Sequence, residues 1–396
     1  MSSKQPIRIA VAIDMEWPLK RHHDAVAGVL KYARQQEAWT CVLEPWIGSS
    51  PESKDPAEHY DGVVGRISGA LGRYAEARHF PVVNIWVNSP ARSTPAVFPD
   101  IHAISLMSAK HLMSRGFNRF AFIGAEGSRP SNIKYQGLLN LTGQPAERVP
   151  RILIPAILND AQGWQAMQSS VRAFVQKLKP PVGILAADDL IGRYLVDVCL
   201  NANLRVPDDV AVVGTGNDLL ICDALEPTLS SIDAGYERIG YRAAALLDRL
   251  IQGEPAPAEP LLVDPVELIP RRSTDVFAVD DRSVAEALRF IWDHHAQRIG
   301  VDDIVADLPM TRRTLERRFR DVLGRTIHEE IMRSKIEHAK RRLIETKDSI
   351  QRIARDCGFS SQAHMSKVFR RFENSAPSEF RKRQTEDGST SSSSAS

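Results

Sequence analysis

Two regions of the chain place charged and amide side chains at spacings that suit recognition. The first lies near the carboxyl end, in VDDIVADLPMTRRTLERRFRDV, Val301–Val322. It reads as a short helix, a tight turn and a second helix. In that second helix Leu315, Phe319 and Val322 recur at i, i+4 and i+7, the spacing of a face turned toward a core. Thr311 stands as its N-cap. The opposite face shows Arg312, Arg313, Glu316, Arg317 and Arg320. A similar pattern follows in SIQRIARDCGFSSQAHMSKVFRRF, Ser349–Phe372. There Ile350, Ile353 and Ala354 line the first helix, Gly358 permits the turn, and Met365, Val368, Phe369 and Phe372 line the second. Ser361, Gln362, Ser366, Lys367 and Arg370 face outward. A helical segment around Ile331–Ile344 joins the two. A basic helix of this kind fits the major groove of double-stranded DNA, where Arg can bond guanine through two donors and Gln or Ser can reach base edges. A small bundle with solvated charges explains one such unit equally well; two of matched layout favour DNA.

The second region is central. The stretch ILAADDLIGRYLVDVCLNANLRVPDDVAVVGTGND reads as strand, acidic turn, helix, Pro-Asp turn, strand and polar turn. Asp188-Asp189 and Asn217-Asp218 therefore stand at the carboxyl ends of strands, where open α/β sheets bind ligands. Carboxylates and amides can bond hydroxyls in pairs, so the cluster suits a sugar. Asp14 closely follows the first strand, and Trp17 after it could stack on a sugar ring. For Asp188 and Asn217 a helix cap or a surface turn is the other reading.

These groups need a framework, and the chain supplies one in two styles. Up to about residue 270, apolar runs of strand length alternate with helical stretches: Ile7–Ile13, Trp39–Glu44, Gly62–Gly65, Val82–Val87, Phe120–Gly124, Arg151–Ile157, Val182–Ala187 and Val210–Gly214 against Asp24–Tyr32, Ile104–Ser114, Gln165–Leu178, Ile191–Asn201 and Tyr236–Ile251. Continuous rather than alternating apolar strands imply parallel sheets covered on both faces. A run of this length suits two doubly wound α/β lobes. At Arg271 the pattern turns polar (RRSTDVFAVDDRS), and beyond it only short helices are expected. The reading is a sensor over 1–272, a linker over 273–282, an all-α DNA-binding domain with two helix-turn-helix motifs over 283–386, and a low-complexity, disordered tail over 387–396.

Charge supports this division. Residues 283–387 carry 22 Lys and Arg against 17 Asp and Glu, a net +5; the remainder carries 29 against 32, a net −3. A basic part joined to a mildly acidic one hints at nucleic acid. With 43% hydrophobic and 25% charged residues the 396-residue chain is globular. No apolar run is long enough to span a membrane, and the start MSSKQPIRIAVAID shows no export signal. Cys41, Cys199, Cys222 and Cys357 lie far apart, which opposes a disulfide framework or a zinc site and fits the cytoplasm. His22, His23, His294, His295 and His364 form no metal spacing. No glycine-rich phosphate loop or nucleophile elbow argues for an enzyme, so neither metal nor cofactor is expected. A protein that binds or modifies a sugar without regulating genes remains the alternative.

Residues 284–383 resemble the AraC/XylS-type DNA-binding domain in TRRTLERRFRDVLGRTI, the Arg333–Ala339 helix, SIQRIARDCGFSSQAHMSKVFRRF and APSEFRK. The resemblance implies base contacts from Arg313, Glu316 and Arg317 in the first recognition helix and from Gln362, Ser366 and Lys367 in the second. Asn374-Ser375-Ala376 and His364-Met365 depart from that family's usual residues. Residues 7–272 resemble the periplasmic-binding-protein-like sensor of LacI/GalR-type repressors, through HLMSRGFNRFAFIG and the strand–Asp–helix and GTGND motifs. This implies a ligand-binding role for Asp189. Gly216 replaces a ligand-contacting Asp of that family, leaving Asn217 or Asp218 to take over. His23 falls where an Arg often faces the cleft. The segment Gly124–Asn140 matches poorly, and Arg129 or Lys134 are the candidates there. The combination is similar to that of xylose-operon regulators. It implies a monosaccharide effector, xylose or another pentose, operator DNA as partner, activation, a homodimer and contact with RNA polymerase.

Overall fold

The computed structural model describes residues 7–15, 19–36, 38–48, 55–155, 161–275, 281–306, 308–346 and 348–386. Trp17, residues 276–280 of the expected linker and the tail lie outside them. The chain forms two units, one of residues up to His111 with Arg119–Thr274, the other of Leu112–Asn118 with the chain from Asp275 onward.

The first unit opens with β1 (Ile7–Ala12), α1 (Lys20–Ala33), β2 (Trp39–Leu43), α2 (Pro56–His59), β3 (Gly62–Gly65), α3 (Gly69–Arg78), β4 (Val82–Asn84) and β5 (Val97–Pro99). Four of these strands make a parallel sheet in the order β2-β1-β3-β4. The strand alternation serves two cores. Ile9 and Val11 pack with Val64, Val83 and Val29, while Ala10 and Ala12 pack on the other face with Val63, Ile67 and Leu71. That double burial is why the strands read as unbroken apolar runs. The expected strand to Val87 stops at Asn84, because the Asn84 side chain accepts the amide of Trp86 at 2.9 Å and turns the backbone out of the ladder.

The chain continues with α4 (Ile101–Ser114), β6 (Phe120–Ala125), α5 (Arg129–Thr142), β7 (Arg151–Ile154), α6 (Ala161–Gln176), β8 (Val182–Ala186), α7 (Asp189–Asn201), β9 (Val210–Thr215), α8 (Leu219–Cys222), β10 (Ser230–Asp233), α9 (Tyr236–Ile251), β11 (Leu261–Val263) and β12 (Glu267–Ile269). The second sheet runs β12-β10-β9-β8-β6-β7, parallel apart from the edge strand β12. Ile123, Ile184 and Val212 pack there under Val171 and Leu195. After β10 the chain returns to the first lobe, where β11 pairs with β5 and α9 packs on α1. The two helices meet backbone to backbone. A Cβ on Gly28 would lie 1.9 Å from the Glu237 carbonyl oxygen, and one on Gly240 would lie 2.0 Å from that of Ala25.

β5, β10, β11, β12, α2, α3, α5 and α8 have no counterpart in the sequence reading. The strands are short, and β10 is polar in sequence although Ser230 and Ser231 are fully buried. Ser273 and Thr274, at the head of the expected linker, form a short 3-10 turn and are fully buried in this unit.

The second unit is helical: α10 (Arg282–Asp293), α11 (Val301–Val305), α12 (Arg312–Leu323), α13 (Ile327–Glu345), α14 (Ile350–Asp356), α15 (Gln362–Glu373) and α16 (Pro377–Glu386). Among its described residues two small cores stand out, and α13 feeds both. Ile327 and Ile331 join Leu315 and Phe319; Ile336, Ala339 and Leu343 join Ile353, Met365 and Phe369. Val322, expected in the first core, is 42% exposed. It sits in the last turn of α12, where Gly324 in the left-handed conformation ends the helix and the buried stripe stops at Phe319.

Candidate functional site

In the second unit each recognition helix is fixed from below and capped at its start. The Thr311 hydroxyl accepts the Thr314 amide at 3.3 Å, and Leu315 and Phe319 are buried beneath α12. Arg313, Arg317 and Arg320 are exposed on its outer side. Arg312 is already engaged, with Glu316 at 2.9 Å and Asp302 at 3.0 Å, so those three side chains steady the first motif's entry. In α15 the Ser361 side chain is the N-cap, accepting the His364 amide at 3.1 Å. Gln362, Lys367 and Arg370 are exposed and Ser366 is half-buried. His364 stands edge-on to Phe359 with ring centres 5.6 Å apart. Lys335 reaches from α13 to the Gly358 carbonyl at 2.8 Å and so pins the second turn; burial lowers its pKa.

In the first unit the polar groups gather at the carboxyl ends of both sheets. Asp188 caps α7, accepting the Ile191 amide at 2.9 Å. Asp189, the first residue of α7, is only 3% exposed. Its carboxylate accepts the Ser231 hydroxyl and, at 2.9 Å, the Asp218 amide. Burial raises its pKa, against those two bonds that favour the charged form. Lys134 of α5 is equally buried and donates to Thr215 Oγ1 at 2.7 Å and to the Ala187 carbonyl. Burial lowers its pKa to about 8, opposed by the charges of Asp188 and Asp189. Asn217 takes the left-handed conformation, φ 51°, and accepts Arg271 Nη2 at 2.9 Å. Asp218 caps α8 through the Leu220 amide and also faces the Lys20 amide of the first lobe at 3.4 Å.

The first lobe closes the cleft. Lys20 Nζ lies 3.7 Å from Asp233 of β10, and Arg129 at the head of α5 donates to the Val87 carbonyl at 2.9 Å. Arg66 stacks over Trp86, 4.6 Å from the ring centre. Its pKa is lowered by burial and by Arg21, with Asp14 opposing. His22 is buried, its Nδ1 2.8 Å from the Asp14 carbonyl, whereas His23 is exposed one position on. Of the residues expected here, Asp189, Asn217 and Asp218 share one hydrogen-bonded turn, and Asp14 lies across the cleft beside Arg66. Arg66 follows directly on β3, so the carboxyl-end rule applied to that strand would have found it; Trp86 stands two residues past β4 and inside the longer strand expected to Val87, which hid it. Lys134 and Arg271 carry no such signal. Among the described residues no group of three or more His, Cys, Asp or Glu could hold a metal ion, and no helix is long and apolar enough to cross a membrane.

A periplasmic binding protein-like domain is matched over residues 109–274 and a helix-turn-helix domain over residues 304–383. The xylose operon regulatory protein of Escherichia coli K12 is 31% identical over 375 residues, 90% of this chain and 92% of that protein. The chain belongs to the xylose operon regulator family. The protein of the same name from Haemophilus influenzae Rd is 31% identical over 72% of this chain and 74% of its own length. A solved structure of a xylose-binding transcription activator covers 97% of this chain and 99% of its own, at 28% identity and a TM-score of 0.60. The protein is therefore a sugar-responsive, DNA-binding transcription regulator and not an enzyme. Its α/β sensor and its tandem helix-turn-helix domain are the two halves of that activity.

Proposed function

We propose that this regulator responds to xylose, or to a close pentose such as arabinose, and activates a sugar-catabolic operon as a cytoplasmic homodimer in contact with RNA polymerase. The observation that carries the sugar site is the buried Asp189 carboxylate, which shares one turn with Asn217 and Asp218 at the strand ends. Each carboxylate oxygen has a second acceptor position, so Asp189 can take sugar hydroxyls while holding Ser231 and the Asp218 amide. Asp14 belongs to the opposing wall near Arg66, which stacks on Trp86; His23 and, from its sequence position alone, Trp17 are the further candidates for sugar contact. Relatives named for xylose support the choice of pentose.

On the DNA side, Arg313, Glu316, Arg317 and Arg320 read one major groove, with Arg312 held by its carboxylate partners. Gln362, Ser366, Lys367 and Arg370 read the next, with Ser361 starting their helix. Sugar affects DNA only if its affinity differs between the free and DNA-bound states. Calorimetric titration of the full chain with xylose, arabinose, ribose and glucose tests the reading. A micromolar-to-millimolar pentose site is expected, and no heat from any of the four sugars would overturn it.

A further inference from the structure

Arg271 sits at the end of the sensor, four positions before the other unit begins, in a stretch whose sequence reads as a polar linker. Its side chain is 10% exposed. The guanidinium grips three separate pieces of chain: Nη2 donates to Asn217 Oδ1 at 2.9 Å, Nε pairs with Asp223 at 2.6 Å, and Nη1 donates to the Leu229 carbonyl at 3.1 Å. Its own amide donates to Ser230 Oγ at 2.7 Å. On one side this grip reaches the turn whose Asp218 amide and Ser231 partner hold Asp189. On the other side the chain runs directly into Ser273 and Thr274. Ser273 Oγ donates to the Val212 carbonyl at 2.6 Å, and Thr274 Oγ1 meets Ser230 Oγ at 2.7 Å and His111 Nε2 at 2.8 Å. After Thr274 the chain leaves the sensor unit.

We infer that Arg271 is the positioning residue that couples occupancy of the Asp189–Asn217–Asp218 turn to the chain leaving the sensor. The inference rests on the sugar site proposed above. Asn217 occupies the left-handed region, which a non-glycine residue adopts at some cost, and its side chain is held by Arg271. A hydroxyl that bonds Asp189 or Asp218 shifts this turn, and a planar guanidinium bonded on three sides moves with it as a unit. The movement passes through one rigid residue into the Ser273–Thr274 anchor. Lysine has a single point of attachment and cannot bridge Asn217, Asp223 and the Leu229 carbonyl together.

The test is the sugar-dependent change in DNA affinity of the full chain, measured on its own operon promoter with and without saturating xylose, arabinose or ribose. Allosteric coupling is typically about 5–150-fold. Arg271→Gln should reduce the parent's ratio, read at a sugar concentration that calorimetry shows to saturate each variant, to under about threefold, while sugar-free DNA affinity stays within about threefold of the parent. A merely structural role would lower the melting temperature and leave the ratio unchanged. Arg271→Lys and Asp223→Asn, which leave most of the packing in place, should give intermediate ratios and serve if Arg271→Gln does not fold. A parent-like ratio in these folded variants overturns the inference and leaves the sugar site standing. A parent chain that binds sugar without any change in DNA affinity also overturns it. A parent that binds no pentose overturns the sugar reading, and the inference falls with it.

Discussion

The Asp189 carboxylate lies against the bare Cα of Gly216: a Cβ built on Gly216 would stand 2.9 Å from Asp189 Oδ2. Gly214 is tighter still, with a Cβ position 2.3 Å from Oδ1. The missing side chain at Gly216 thus makes room for the buried carboxylate. Gly216 also has φ +133°, a region that side chains rarely adopt. Gly216→Ala should cost about 1–3 kcal/mol in stability and weaken pentose binding more than tenfold. Urea unfolding and calorimetry on one preparation measure both, and an unchanged sugar affinity would place the ligand away from this turn.

Removing the carboxylate itself leaves the buried Ser231 hydroxyl without an acceptor, at about 1–3 kcal/mol, and frees the half-buried Asp218 amide. Asp189→Ala should weaken sugar affinity at least tenfold. Sugar-free DNA binding should not change, because Asp189 lies in the sensor unit and the recognition helices in the other. A variant that binds sugar as tightly as the parent would reduce Asp189 to a structural anchor of the turn.

On DNA, Arg313→Ala or Arg317→Ala should cost about 1–3 kcal/mol on the specific site and relax base preference there. Arg312→Ala should cost less, since its guanidinium is spent on Glu316 and Asp302. Lys367→Ala should act at a second position about 10 bp away. Log affinity should fall with log salt as phosphate contacts release counterions. Footprinting and fluorescence anisotropy test these points; protection of a single groove face would refute tandem recognition.

The contact of α1 with α9 leaves no space for a methyl group at either glycine. Gly240→Ala drives a Cβ into the Ala25 carbonyl, a backbone atom that cannot swing aside. Overpacking of this kind costs about 1–3 kcal/mol, which for a unit of this size lowers the melting temperature by roughly 2–12 °C. Differential scanning calorimetry should show the shift in the sensor's transition.

Cys357 is fully buried in the second helical core, and burial pushes its thiol up to about 12. The native state then keeps a proton that the unfolded chain loses above its ordinary value of 9.0. This contribution is intact below that value and is lost as pH rises toward 12, at up to about 1.4 kcal/mol per pH unit. Unfolding of the parent and of Cys357→Ala between pH 8 and 11 should show a shallower alkaline decline in the variant. Equal slopes would mean that the thiol ionises without opening the core.

The sequence by itself determined what depends on near neighbours. Apolar spacing marked α12 and α15, Thr311 and Asp188 announced helix starts through their cap chemistry, and the acidic and polar turns after β8 and β9 were readable as strand ends. The alternation of buried strands with helices was enough for two α/β lobes followed by helices. Val322 and the Val82–Val87 strand were misjudged where a single glycine or Asn side chain ended an element early. Only the tertiary structure decided the partners of the isolated charges. Lys134 meets Thr215 across 81 residues, and Arg271 meets Asn217 across 54. Which of them meet is set by sheet order and by where each crossover helix lands, and periodicity within a segment carries no information about either. A buried lysine and a linker arginine look like surface residues until the sheet brings an acceptor to each, because only a bonded charge can leave water.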